Sequence, residues 1–206
     1  MIQRIAKCIL GIEEPNEIEQ PLIDLLKQHL ALDNNKLRED YVCSLLGYTP
    51  TFGGGGFPDG HKPDNTCVDN KSGPEIVFPD GKDTIEDKLD WECLVQKFDD
   101  DGRLVYIAEV KVNEIIDELR ESRDQLISKG ARVSPMVGSA VWLYKPSTKV
   151  LYKNPNLFER TKSGRLRKFY KILNELPMAD NSLPVPEEEV AQALLSNLLN
   201  SAILKA

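Results

Sequence analysis

Asp90 and the Glu-x-Lys pair Glu109 and Lys111 are the residues of this chain whose types and spacing best suit chemistry. Asp90 stands at the head of one apolar run, Leu89 to Phe98, and the pair lies inside a second, Leu104 to Val112. Between them Asp99-Asp100-Asp101-Gly102-Arg103 reads as a tight turn, so the two runs are expected to be antiparallel strands. Glu109 and Lys111 are two apart and share one sheet face. An acid and an amine continuing the apolar stretch Val105-Tyr106-Ile107-Ala108 are costly to bury unless they have a partner or a task. Carboxylates and an amine converging on one point suit Mg²⁺-dependent hydrolysis of a phosphodiester. The cation takes one or two protein carboxylates at about 2.1 Å and leaves places for water and phosphate. Mn²⁺ has the same oxygen preference and would substitute. Lys111 could hydrogen-bond the attacking water and offset charge in the transition state. An exposed edge strand would carry the same pair as an ordinary solvated face, so the surrounding elements have to decide.

Those elements read as follows. Glu17 to Leu32 has helical periodicity, is entered through Pro15-Asn16 with Asn16 as a cap, and carries an apolar stripe of Ile18, Leu22, Ile23, Leu25, Leu26 and Leu30. Glu19 falls inside that stripe, where a carboxylate needs a cation or a donor; a frayed first turn would expose it instead. Lys36 to Leu46 reads as a second helix closed at Gly47. Phe52 to Gly73, with Gly53 to Gly56, Pro58, Gly60, Pro63 and Gly73, predicts a long mobile loop (53–73) without regular structure, and its glycines lack phosphate-loop spacing. The Phe-Pro-Asp-Gly sequences containing Pro58-Asp59 and Pro79-Asp80 predict turns. Glu114 to Ser128 reads as a helix ended by Gly130, and Ala140 to Tyr144 as a short strand against which Lys149 to Tyr152 pairs back. A helical crossover between the Glu109 strand and the Ala140 strand implies that they are parallel neighbours. The sum is an α/β fold.

Composition bounds the function classes. The 206 residues are 41% hydrophobic and 29% charged, values of an ordinary globular chain, and no apolar stretch is long enough for a membrane span. Met1 to Ile12 lacks the uninterrupted apolar core and cleavage site of a secretory signal. Cys8, Cys43, Cys67 and Cys93 lie far apart and the histidines are His29 and His61, so a zinc site is not expected, the thiols are expected to be reduced, and the compartment to be cytoplasmic. The net charge of −7 argues against coating nucleic acid by bulk attraction. Locally the balance reverses: Arg160, Lys162, Arg165, Arg167, Lys168 and Lys171 form an acid-free run around Phe169 and Tyr170, a candidate phosphate-binding stretch. The acids Asp80, Asp83, Glu86, Asp87 and Asp90 suit a metal instead.

The length suits one domain, expected over 1–176, followed by a tail over 177–206. In that tail Leu183-Pro184-Val185-Pro186 reads as a linker, and Glu187 to Leu204 as a helix with Val190, Leu194, Leu195, Leu198, Leu199 and Ile203 apolar. Its roles would be docking on the core or a homodimer contact.

The order of these motifs carries a resemblance. Glu19 followed by Pro21-Leu22-Ile23-Asp24-Leu25-Leu26, then Leu45-Leu46-Gly47-Tyr48, Asp90, Ala108-Glu109-Val110-Lys111, Gln125 and Val141-Trp142-Leu143-Tyr144 resembles the N-terminal nuclease domain of the type I restriction enzyme R subunit, a member of the PD-(D/E)XK or restriction-endonuclease-like superfamily. The resemblance covers roughly Glu13 to Tyr152. It implies a central mixed sheet flanked by helices that cuts DNA with Mg²⁺. It further implies Asp90 and Glu109 as metal ligands, Lys111 as the residue that positions or activates water, Glu19 and Gln125 as further site residues, and other restriction subunits as partners. The chain is too short to hold a helicase motor, and the family's tyrosine four residues after the glutamine is here Lys129. The alternative is a catalytically inactive version of the fold that binds DNA or another subunit.

Overall fold

Strands around the Asp99–Arg103 turn lie inside the main sheet, and the described helices are placed by which of its faces they cover. The computed structural model describes residues 7–8, 16–32, 35–51, 57–79, 85–131, 135–158 and 164–180. In chain order these contain α1 (Gln20–Ala31), α2 (Asn35–Leu45), β1 (Thr49–Pro50), β2 (Gly60–His61), β3 (Cys67–Ser72), β4 (Ile76–Pro79), β5 (Glu92–Phe98), β6 (Leu104–Lys111), α3 (Ile116–Ser128), β7 (Met136–Ser139), β8 (Lys149–Lys153), α4 (Pro155–Phe158) and α5 (Gly164–Glu175).

Among the described residues the main sheet has the order β1-β2-β3-β5-β6-β8, and β4 and β7 form a separate two-stranded sheet. β3 and β5 are parallel and every other neighbouring pair is antiparallel, so the sheet is mixed and is flanked by helices, the predicted class. The β5–β6 hairpin is the expected one, with Leu94 opposite Glu109 and Glu92 opposite Lys111. The period of two then assigns the faces. Leu94, Ile107 and Leu151 face one core, covered by Ile23, Leu26 and Leu30 of α1 and by Tyr41, Val42 and Leu45 of α2. Cys93, Val95, Ala108 and Val110 face the other, built with Phe78, Leu119, Trp142, Phe158, Phe169 and Tyr170. A ring cluster joins Tyr106, Phe158, Phe169 and Tyr170, with Phe158 and Tyr170 edge to face at 4.6 Å.

α1 is held against the hairpin end by a close backbone approach. Gly102 adopts φ +71°, and a Cβ there would lie 2.1 Å from the Lys27 carbonyl oxygen. The stripe on α1 is narrower than its pattern suggested: Ile23, Leu26 and Leu30 are buried, whereas Ile18 and Leu25 are exposed.

Three expectations are overturned. The segment 53–73 is not wholly irregular, because β2 and the central strand β3 lie within it. β3 has the sequence Cys-Val-Asp-Asn-Lys-Ser, and its polarity hid it: Asp69 pairs with Lys71 and with Lys88 at 3.3 Å, so its charges are compensated inside the fold. The segment after α3 contributes Met136–Ser139 as strand, while Val141–Tyr144 is a 3-10 turn that buries Trp142 and Leu143. The Glu109 strand therefore has no parallel neighbour; β7 leaves for the small sheet, and Lys149–Lys153 pairs antiparallel with β6. Of the two Phe-Pro-Asp-Gly turns, the first enters β2 at Gly60, and in the second Phe78 and Pro79 belong to β4. The expected tail helix over Glu187 to Leu204 and its expected linker lie outside the described residues, as do Asp80 and Asp83.

Candidate functional site

Glu109 is buried on the α1–α2 face of the sheet at the open end of the hairpin, away from the Asp99–Arg103 turn. A carboxylate so placed needs donors, and three segments supply them. Lys62, in the turn between β2 and β3, places its ammonium 2.9 Å from Oε1, and the Tyr48 hydroxyl, just before β1, donates to the same oxygen at 3.3 Å. Lys149, opposite Glu109 on β8, lies 3.1 Å from Oε2. Glu92, from β5, binds the same Lys62 ammonium. That ammonium sits 5.6 Å from the centre of the Tyr48 ring.

The electrostatics follow from this geometry. Burial is the largest influence on both carboxyls and works against their charge. At Glu109 its contact with Glu92 and the charges of Lys62 and Lys149 overcome it, and the pKa falls below the usual carboxylate value. At Glu92 burial, with Glu109 beside it, outweighs Lys62, and the pKa rises. The Lys62 ammonium is stabilised in its charged form by both acids, against burial, and the Tyr48 phenol is pushed up by burial and by Glu109.

The predicted residues divide. Glu109 and Lys111 share a face as expected, and Lys111 is exposed, with only its backbone N–H engaged, by Ser147 Oγ at 3.3 Å, among the described residues. Asp90 lies in the exposed turn before β5 and makes no hydrogen bond or ion pair among the described residues. Glu92 is the acid of that strand that meets Glu109. Glu19 is buried at the start of α1, where it forms a capping box: its N–H donates to Asn16 Oδ1 at 3.0 Å and its carboxylate accepts from the Asn16 N–H at 3.4 Å. This capping is one role for an inward acid on the first helix. Gln125 is exposed on α3 and donates to Glu121 at 3.1 Å. Ile116 and Leu119 pack α3 on the opposite sheet face from Glu109, so Gln125 is not part of this cluster.

The basic run is also set apart. Arg167, Lys168 and Lys171 are exposed on α5, whose Phe169, Tyr170 and Leu173 pack on the face opposite Glu109; Arg160, Lys162 and the Arg165 side chain lie outside the described residues. Of the other acids, Glu86 is paired with Arg120 and Arg123, and Asp87 is exposed.

Sequence reading missed Glu92, Lys62, Tyr48 and Lys149. Glu92 was within reach of pattern alone, since Glu92, Leu94 and Gln96 alternate on one face, and counting back from the turn sets Leu94 opposite Glu109. The others come from the residue before β1, from β8 and from the β2–β3 turn, whose register no local signal fixes. A second charged group was missed as well: Glu39 and Asp40 on α2, Lys36, and Asp59 before β2, whose carboxylate accepts the Asn70 N–H at 2.7 Å.

Among the described residues no group of three or more His, Cys, Asp or Glu side chains is placed to hold a metal ion. What remains is a pair of carboxylates gathered around one positive charge, the Lys62 ammonium. Two carboxylates are a number that Mg²⁺ can use, since it takes one or two from a protein and keeps several waters. No helix among the described residues is long and apolar enough to cross a membrane. No protein-family model matches the chain, and no curated protein matches it.

Proposed function

We propose that the protein is a Mg²⁺-dependent nuclease that hydrolyses DNA phosphodiester bonds, with Glu92 and Glu109 as the metal-holding pair. The observation that carries this reading is the meeting of two acids from adjacent antiparallel strands on one sheet face, with the Lys62 and Lys149 amines on them and Lys111 paired opposite Glu92. The motif order supports it by its resemblance to the restriction-endonuclease-like nucleases, which also makes DNA the substrate, other restriction subunits the partners and the cytoplasm the setting. A bound Mg²⁺ supplies Lewis acidity at a non-bridging phosphate oxygen. The chain's own residues do the rest. Glu109, held charged by its donors, orients the water that attacks in line. Lys111, exposed on the same face, offsets the negative charge that grows on the phosphate. Tyr48 and Lys149 fix the Glu109 carboxylate so that neither event requires reorganisation.

A second reading has its own observation. Glu109 is already satisfied by Lys62, Lys149 and Tyr48, which is the state of a structural acid in a DNA-binding or subunit-binding version of the fold. Incubation with supercoiled plasmid separates the two. The nuclease reading expects nicking that requires Mg²⁺ or Mn²⁺ and disappears in Glu109→Gln; plasmid left intact with either metal by the folded protein rejects it, and metal-independent retention of DNA supports the binding module.

A further inference from the structure

We propose that Lys62 is a built-in counter-ion of the carboxylate pair, which a divalent cation must displace, so that metal entry releases the ammonium from both acids. The inference rests on the assignment of Glu92 and Glu109 as the metal seat.

Three features of the geometry lead to it. The ammonium contacts both carboxylates at once, at Oε2 of Glu92 and, at 2.9 Å, at Oε1 of Glu109. An ion that binds both acids needs those oxygens at about 2.1 Å, and the ammonium and a divalent cation cannot share them. Next, the backbone carrying Lys62 is anchored: its N–H donates to the Thr66 carbonyl at 2.9 Å, its carbonyl accepts the Asn65 N–H at 2.9 Å, and the preceding Gly60 and His61 pair with β3. The side chain must therefore move while the strand stays. Finally, the Tyr48 ring centre lies 5.6 Å from the ammonium, within the range at which an aromatic face holds a cation, and this contact does not depend on the two acids. Lys149 differs, because it holds the other oxygen of Glu109 and no atom of Glu92 is among its partners.

Two measurements on the full chain test this without nucleic acid. Mn²⁺ binding, followed by the paramagnetic signal of the free ion, should be about tenfold tighter in Lys62→Met than in the unaltered protein, since one charge-assisted hydrogen-bond partner no longer competes. Lys62→Arg, which keeps the cation, should show no tightening. Equal or weaker binding by folded Lys62→Met overturns the proposal, as does the absence of Mn²⁺ binding by both proteins at millimolar metal. If Lys62→Met does not fold, amine labelling of the unaltered protein read by mass spectrometry decides. Lys62 should be protected without metal and become reactive with Mn²⁺, while exposed Lys168 stays constant; unchanged protection overturns the proposal. Plasmid nicking is a separate readout. Displacement without nicking leaves the counter-ion and removes the nuclease, and nicking without displacement does the reverse.

Discussion

Glu92 and Lys111 stand directly opposite each other across β5 and β6, one residue pair beyond the pairing of Leu94 with Glu109 on the same face. On the nuclease reading, the acid paired with Glu109 and Lys111 is Glu92, and Asp90 lies outside the strand. Glu92→Gln is expected to weaken Mn²⁺ binding at least about tenfold, the cost of a lost charged ligand, and to suppress plasmid nicking. Asp90→Asn should leave both within about twofold, as for an exposed surface change. Metal titration and nicking of the two variants side by side check this, and loss in Asp90→Asn with retention in Glu92→Gln would reverse the assignment.

Lys111 is the amine of this face that nothing among the described residues occupies. Lys111→Ala is expected to lower the nicking rate about 10²-fold or more, while thermal stability stays within about 0.5 kcal/mol. Rates and melting curves measured on one preparation give both numbers. An unchanged rate would take Lys111 out of the reaction.

The legible and the illegible parts differ for a physical reason. The β5–β6 hairpin was readable because its turn acids, its apolar runs and its two-residue period all agree locally. α1, α2 and α3 were readable from spacing, although Ile18 and Leu25 show that an apolar pattern does not say which edge of the stripe meets the core. β3 was not, since a strand whose Asp69 and Lys71 are compensated by each other and by Lys88 has no hydrophobic signature. Val141–Tyr144 looked like a strand because aromatic and β-branched residues serve equally well in a buried 3-10 turn. Of the site, Glu109 and Lys111 were visible as a pair, whereas Lys62 and Lys149 reach them only through long-range register.

The approach of α1 to the hairpin offers a test of what positions the site face. At Gly102 a side chain would meet both a left-handed backbone, φ +71°, and the Lys27 carbonyl at 2.1 Å. Gly102→Ala is expected to cost about 2–4 kcal/mol from the strained φ and the forced separation. At this chain length that is a fall of roughly 5–15 °C in Tm. Thermal denaturation of the variant measures it, and a shift below about 1 °C would mean that α1 does not lie on the turn as described.

Glu39 gives the fold a pH dependence with a definite sign. Burial raises its pKa from 4.5 to about 7, with the neighbouring Asp59 carboxyl next in weight and Asp40 and Asp69 adding, while Lys36, 4.0 Å away, opposes them. The folded state thus favours the protonated form. This contribution to stability is fully present below the unfolded value of about 4.5 and is lost as pH rises through about 7. Part of the side chain remains open to water, so the effect at pH 8 is discounted to about 1 kcal/mol. Glu39→Gln, which cannot ionise, is expected to leave stability at pH 5 nearly unchanged and to raise it by that amount at pH 8. Denaturant unfolding of both proteins at the two pH values provides the comparison. A variant less stable than the parent at pH 8 would show that the charged form of Glu39 is favoured by Lys36 more than it is opposed by burial.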